Sequence, residues 1–279
     1  MAEHIDRFSD PAFVQSAYGT VDPLQVRIMT HRRYGKGQWD IFHAITRHLS
    51  GLGRPASVLD VGAGTGTWYA AIREELGPAV AYVGLDQSAA MVAALDQRLR
   101  GDAMGTSRLG DAQHLPWPDD SFDWVGLHFM LYHVADITGA LAEADRVLKP
   151  GGILSAATNG PRQYPELMEL HRNAVAALHL PTVPDGGPLR FSLSNGRHFF
   201  PAHRTVQVET HAGGFRFPAP EPAVAYYEAG FYEHGLELEV ARAHKQELAD
   251  LVRHLVADAM ASDSVFVVTS EGGYFWYQK

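Results

Sequence analysis

Three glycines at alternate positions follow a short apolar run in this chain of 279 residues. They are Gly62, Gly64 and Gly66, and the run before them covers residues 58–61. Glycine lacks a Cβ atom, so it adopts positive φ readily and lets the backbone approach a ligand closely. A strand that ends in such a loop and opens a helix is typical of a site that holds a nucleoside cofactor.

Two aspartates stand where further strands are expected to end. Asp86 closes the apolar run 80–85, and Asp111 follows Gly110. A carboxylate at the first position can accept hydrogen bonds from both hydroxyls of a ribose, and the second can meet the edge of an adenine. Either aspartate alone could instead cap a helix or form a turn. The glycine loop and the two aspartates together mark three successive strand ends, and this combination favours a cofactor site over isolated caps or turns.

The glycine spacing distinguishes between two classes of cofactor. A dinucleotide loop has the pattern G-x-G-x-x-G/A, whose third small residue packs the helix while the helix N-terminus holds a pyrophosphate. Here that third position is Thr67, and the pattern is G-x-G-x-G. The sequence therefore favours a nucleoside without a pyrophosphate over a nicotinamide dinucleotide.

Residues able to transfer a proton follow the apolar run that begins at residue 122. They are His128, Tyr132 and His133. An imidazole with a pKa of about 6.5 accepts protons at neutral pH, so either histidine is a candidate base. Tyr132 could orient a substrate. The alternatives are that His133 caps or packs the next helix and that Tyr132 belongs to the core.

Strands and helices alternate around these residues. Strands are predicted at 57–61, 80–85, 106–109, 122–128 and 152–158, with a helix at 68–76 and another that Asp136 caps. Such alternation builds a parallel sheet with helices on both faces. Ligands then bind at the carboxyl ends of the strands, where the glycine loop, the aspartates and the histidines lie.

Four runs resemble class I S-adenosylmethionine-dependent methyltransferases of the type-11 group: residues 58–66, 83–88, 110–125 and 146–152. The resemblance implies S-adenosyl-L-methionine as cofactor and an α/β fold with a doubly wound, mostly parallel, seven-stranded Rossmann-like sheet. It implies that Tyr18 and Arg32 or Arg33 lie near the methionine end of the cofactor. The remaining cofactor-binding positions that it implies are Asp60, Gly62, Ala63, Gly64, Asp86, Gln87, Asp111, Ala112 and His128.

A single domain over residues 1–279 is predicted, in four parts: an N-terminal helical lid (1–50), a cofactor-binding half (51–160), an acceptor cap (161–205) and C-terminal strands and helices (206–279). The cap is an insertion between strands 5 and 6 that breaks the alternation. Its aromatics suggest an aromatic acceptor, although core packing explains Phe191, Phe199 and Phe200 equally well. The chain is expected to end in two strands, 265–269 and 274–277, with a turn at 271–273.

Composition narrows the classes of partner. The net charge is −9 and no basic stripe is present, which argues against a nucleic-acid acceptor. No run is long and apolar enough for a membrane span, and the N-terminus does not resemble a signal peptide, so a cytoplasmic location is expected. With no cysteine and no H-E-x-x-H motif, no metal is expected.

These observations predict an enzyme that methylates a small, aromatic or heteroaromatic metabolite of phenol or indole type by in-line displacement, with an active-site histidine as base. The accepting atom, C, N or O, stays open. The alternatives are a non-methylating reaction such as a cyclisation, a methyltransferase for small carboxylic or 2-oxo acids, or a sensor of the cofactor. A homodimer is a further possibility.

Overall fold

The computed structural model describes residues 22–35, 41–49, 57–184, 189–261 and 263–279. The strands are β1 (Ser57–Val61), β2 (Ala81–Asp86), β3 (Gly105–Leu109), β4 (Phe122–His128), β5 (Leu148–Gln163), β6 (Gln207–Phe217) and β7 (Phe266–Gln278). The helices are α1 (Asp22–Tyr34), α2 (Ile41–Leu49), α3 (Thr67–Leu76), α4 (Ala89–Arg98), α5 (Ile137–Val147), α6 (Pro165–Ala177), α7 (Pro220–Glu228), α8 (Leu238–Ala243) and α9 (Lys245–Ala259).

The seven strands form one sheet in the order β3-β2-β1-β4-β5-β7-β6. Strands β1 to β5 run parallel, and β7 is antiparallel to both of its neighbours. Every residue of β4 is buried, as expected for a central strand covered on both faces. The strand order reverses between β1 and β4, and ligands bind at the carboxyl ends of the strands at such a point. The predicted doubly wound, mostly parallel sheet is confirmed.

The end of the chain differs from its prediction. One continuous strand, β7, replaces the two expected strands and the turn at 271–273. Gly273 pairs with Thr158 on one side and Thr210 on the other, and a Cβ atom there would lie 2.1 Å from the Glu209 carbonyl oxygen. The glycines therefore permit close approach of neighbouring strands instead of forming a turn.

Two N-terminal helices are present where the sequence predicts two. Helix α1 packs against α7 and β6, whereas α2 packs against α3. Gly35, directly after α1, forms an isolated β-bridge with Phe215. No helix in the described ranges is long and apolar enough to cross a membrane.

The aromatic residues of the predicted cap lie in the hydrophobic core. Phe191 and Phe200 are buried, and their rings lie 5.6 and 5.5 Å from that of Phe275 on β7. Phe199 packs against the same cluster. Of the two explanations for these residues, core packing is therefore correct, and they give no information about the acceptor.

Candidate functional site

A cavity of about 1930 Å³ extends along the carboxyl-end edge of the sheet, and residues of α1 and α2 also line it. Two groups of lining residues receive names here. The glycine-loop end comprises Gly62, Ala63, Gly64, Asp86, Gln87, Asp111 and Ala112. The tyrosine end comprises Arg27, His31, Tyr132, Tyr164 and Tyr226. Strand β4 lies between β1 and β5, so the residues that follow it lie between the two groups.

The glycine loop has the backbone that its sequence requires. Gly62, Gly64 and Gly66 all have positive φ, at 71°, 55° and 80°. The amides of Gly62 and Ala63 both donate to the Leu85 carbonyl oxygen, which ties the loop to β2. A Cβ atom on Gly62 would lie 2.7 Å from the Met130 side chain. Larger residues would therefore both strain the loop and close the space above it.

Asp86 is held with its carboxylate at the cavity wall. Its Oδ2 accepts from the Gly64 amide at 2.9 Å, and its Oδ1 accepts from the Ser88 amide at 2.9 Å. Burial raises the pKa of Asp86, and the two amides oppose that effect. A carboxylate has about four acceptor sites, so each oxygen can accept a further hydrogen bond from a ribose hydroxyl. The residues present therefore fit a nucleoside cofactor.

Asp60, an expected cofactor contact, does not line the cavity. Its side chain is buried, and its Oδ2 accepts from the Tyr82 hydroxyl at 2.8 Å. Burial raises the pKa of Asp60 to about 7; the Asp86 charge adds to the increase, while the Tyr82 hydrogen bond opposes it. Asp60 thus supports β1 and β2 from inside the protein.

The third strand end lies at the same wall. Asp111 is exposed, and its Oδ1 accepts from the Gln113 amide at 2.9 Å, whereas Ala112 beside it is buried. Gln87 also lines the cavity. These positions agree with the predicted adenine side of the site.

Two residues of the N-terminal region, Tyr18 and Arg33, are predicted to lie near the cofactor. Tyr18 lies outside the described residues. Arg33 is exposed, its guanidinium lies 5.6 Å from the centre of the Tyr34 ring, and it is not part of the cavity wall. Arg32, the other candidate, lines the cavity, and the contact of either arginine with the cofactor stays a prediction. The lid also reaches the glycine loop, because Gln25 Nε2 donates to Thr65 Oγ1 at 3.3 Å.

His128 forms part of the cavity floor. Its ring stacks on Trp68 at 3.8 Å between centroids, and its Nε2 lies 2.9 Å from Ser155 Oγ. The same Ser155 oxygen accepts from Trp124 Nε1 at 2.8 Å. Burial lowers the pKa of His128 to about 3. Such an imidazole is a weak base, so His128 is less suited than His133 to take a proton from an acceptor, and its predicted contact with the cofactor stays a prediction.

His133 and Tyr132 lie on a 3₁₀ turn, Leu131–His133, directly after β4. Both line the cavity, and their rings make an edge contact with 4.5 Å between centroids. The His133 amide donates to the Met130 carbonyl oxygen at 2.9 Å. Of the two predicted histidines, the half-buried His133 is the one on a surface that a substrate can reach.

Sequence reasoning missed two aromatic residues with unusual backbones. Phe129 and Tyr164 have positive φ, at 55° and 51°, and follow the carboxyl ends of β4 and β5. Both line the cavity. Left-handed backbone costs a bulky residue roughly 1–3 kcal/mol and is concentrated at functional sites. No sequence signal marks positive φ in a residue other than Gly or Asn.

Arg27 and His31 were also missed, although a signal for them exists. They are four residues apart on α1 and therefore share one helix face. Both line the cavity with Tyr226, which comes from α7 far along the chain.

Known proteins resemble the part of the chain that contains the glycine-loop end. Residues 59–156 match the family described as a methyltransferase domain. Demethylmenaquinone methyltransferase of Geobacillus kaustophilus is 34% identical over 128 residues, which cover 45% of this chain and 53% of that protein. The corresponding protein of Lactiplantibacillus plantarum is 35% identical over 150 residues, 50% of this chain and 60% of that protein. The chain thus spans about half the length of the curated relatives it matches.

Solved structures share the fold. Phosphoethanolamine N-methyltransferase 2 of Haemonchus contortus, solved with S-adenosyl-L-methionine, has a TM-score of 0.59 at 20% identity over 98% of this chain and 60% of that one. The YcgJ protein of Bacillus subtilis has a TM-score of 0.54 at 20% identity, over 85% and 98%. The [4+2]-cyclase SpnF has a TM-score of 0.52 at 19% identity, over 95% and 94%. At these identities the likeness shows the fold alone.

Proposed function

Because residues 59–156 match the family described as a methyltransferase domain, we propose that the protein transfers the methyl group of S-adenosyl-L-methionine to a small molecule. The acceptor is an aromatic or heteroaromatic metabolite of phenol or indole type. The observation that carries the proposal is the continuous cavity, which joins a nucleoside site at the glycine-loop end to His133 and the tyrosine end.

At the glycine-loop end the chain's own residues bind and orient the cofactor. Asp86 holds the ribose hydroxyls, and Asp111 with Ala112 faces the adenine. When bound, S-adenosyl-L-methionine supplies an electrophilic methyl group on a cationic sulfonium. Orientation of two reactants is worth roughly 7–11 kcal/mol of a barrier in favourable cases, so these contacts are a main part of the catalysis.

Beyond β4 the residues act on the acceptor. His133 takes the proton of an acceptor hydroxyl or ring nitrogen, and Tyr132 positions the acceptor ring. Such general base catalysis contributes about 10²- to 10⁴-fold to a rate. The lid helices α1 and α2 exclude water from the cavity that they line.

The test is transfer of label from methyl-labelled S-adenosyl-L-methionine to phenols, indoles, 2-oxo acids and a fractionated metabolite extract. We expect label in a small molecule and formation of an equal amount of S-adenosylhomocysteine. Mass and fragmentation of the product identify the accepting atom. Product formation without S-adenosylhomocysteine would replace this proposal with a non-methylating reaction such as a cyclisation.

A further inference from the structure

Hydrogen-bond donors from four separate parts of the chain meet at the tyrosine end. Arg27 and His31 come from one face of α1, and Tyr132 from the turn after β4. Tyr164 stands at the junction of β5 and α6, and Tyr226 lies on α7. Four of the five lie outside residues 59–156, so the family match carries no information about them.

A buried ring holds these groups in place. Phe215 on β6 is fully buried and stacks on Tyr164 with 5.2 Å between centroids and 18° between planes. Its ring also lies 4.9 Å from Tyr226 and 4.8 Å from His31. Three elements that are distant in sequence therefore present their polar atoms around one rigid aromatic centre.

The protonation states make this cluster a set of donors. Burial raises the pKa of Tyr164 well above its usual value, and the hydrogen-bonded Tyr226 adds to the increase while Arg27 opposes it. His31 is exposed along the cavity, and partial desolvation by its neighbours together with the Arg27 charge lowers its pKa to about 4. At neutral pH Tyr164 therefore keeps its hydroxyl proton, His31 is neutral, and Arg27 is the cation of the cluster.

None of the acids that line the cavity belongs to the five residues of the tyrosine end. The acids Asp86 and Asp111 belong to the glycine-loop end, two strands or more from β5. Arg32 adds a second positive charge on α1. Three further carboxylates line the cavity, Glu74 and Glu75 on α3 and Glu271 on β7 beside Gly160, and Arg47 on α2 adds another positive charge.

We propose that the tyrosine end binds a carboxylate carried by the methyl acceptor, with Arg27 as its charged partner and one hydroxyl of the hydrogen-bonded pair Tyr164 and Tyr226 as a further donor. This inference rests on the proposed function and narrows it from any phenol or indole to an aromatic acid. A guanidinium matches a carboxylate with two parallel hydrogen bonds, and a neutral amide in the same place loses the charge-assisted contribution.

The experiment compares acids with their neutral amides on the full chain, saturated with S-adenosylhomocysteine. Calorimetry measures the affinities of 4-hydroxybenzoate against 4-hydroxybenzamide and of indole-2-carboxylate against indole-2-carboxamide. We expect the acid to bind about tenfold more tightly than its amide in at least one pair. Equal affinities within both pairs, or no binding of either acid at millimolar concentration, would overturn the proposal.

Two variants and a control locate the preference. Arg27→Gln removes the acid preference and leaves amide affinity within twofold, so the amide reports that the cavity is still folded. Tyr164→Phe keeps the ring stacked on Phe215 and reduces the preference about threefold. The control is Arg172→Gln, an exposed arginine on α6 outside the cavity. A preference that survives Arg27→Gln, or that Arg172→Gln abolishes, contradicts the assignment.

Label transfer keeps the two proposals separate, in parallel samples of the same variants that contain methyl-labelled S-adenosyl-L-methionine in place of S-adenosylhomocysteine. Label entering acids and amides at equal rates supports methyl transfer and overturns the carboxylate site. Acid binding that depends on Arg27, with no label transfer and no S-adenosylhomocysteine formed from the labelled cofactor in any sample, supports the site and counts against the proposed function.

Discussion

The two ends of the cavity are built in different ways. The glycine-loop end comes from three neighbouring parallel strands and the residues directly after them, all within residues 57–112. The tyrosine end gathers α1, the turn after β4, the β5–α6 junction and α7, which span residues 22–228. The first end depends on local backbone geometry, and the second depends on how distant elements pack around Phe215.

This difference has a chemical counterpart. The glycine-loop end presents carboxylates and a loop whose positive φ angles belong to glycine. The tyrosine end presents donors and a cation, and its unusual backbone belongs to Tyr164. A site for a common cofactor can be carried by a short motif, whereas a site for one particular acceptor needs side chains that no motif specifies.

The largest effect is expected for His133, which lies between the two ends of the cavity. We expect His133→Ala to reduce turnover at least about 100-fold, because a general base contributes that much or more, and to leave cofactor affinity within twofold. Steady-state kinetics and a calorimetric cofactor titration measure the two quantities. His198→Ala, an exposed histidine away from the cavity, is the control. Equal loss of turnover and affinity would make His133 a structural residue.

The glycine-loop end is tested by Asp86→Ala. Cofactor affinity should fall at least about tenfold, since charge-assisted hydrogen bonds are each worth about 1.5–3 kcal/mol and the carboxylate also holds the amides of Gly64 and Ser88. Asp96→Ala on the outer side of α4, where Asp96 accepts from Ser107, is the matched control. Unchanged affinity in a calorimetric titration would remove the ribose assignment.

A smaller effect is expected at Asp60, which supports the strands of the glycine-loop end and does not line the cavity. The pKa of Asp60 is about 7 in the folded chain against 3.8 when unperturbed, so the folded state binds one more proton than the unfolded state between these values. Stability from this group is therefore present at low pH and is lost as pH rises through about 7. We expect Asp60→Asn to remove that loss.

Chemical denaturation from pH 4 to 8 measures this pH-dependent loss of stability as the difference between wild type and Asp60→Asn. The unfolding constants should diverge about tenfold per pH unit within the window. His128 and His31 act in the opposite direction, because their lowered pKa values favour folding at higher pH. Both proteins contain these histidines, so the difference isolates Asp60. Parallel curves would contradict the raised pKa.

The smallest effect concerns the contact between the lid and the glycine loop. Gln25→Ala removes the hydrogen bond from Nε2 to Thr65 Oγ1. One neutral hydrogen bond is worth about 0.5–1.5 kcal/mol, so cofactor dissociation should accelerate about threefold in stopped-flow experiments. Gln246→Ala on α9, bonded to Asp250, is the matched control. An unchanged dissociation rate would show that α1 serves the tyrosine end alone.

Much of the fold could be predicted from the sequence because it depends on local periodicity. The bounds of β1 and β4 agree with the prediction, and Asp136 caps α5 through a bond from the Gly139 amide at 2.9 Å. The prediction of a terminal hairpin was wrong because Gly273 permits close strand packing, a need that arises only when β5, β6 and β7 meet.

By itself the sequence determined the glycine-loop end, because a strand, a turn and its carboxylate are contiguous and their chemistry follows from φ angles and spacing. Tertiary structure alone decided the tyrosine end. It buried His128 against Trp68 and thereby lowered its pKa, turned Asp60 toward Tyr82, and left His133 at the cavity wall. Burial and the charge of neighbours set these roles, and neither quantity exists before distant segments pack together.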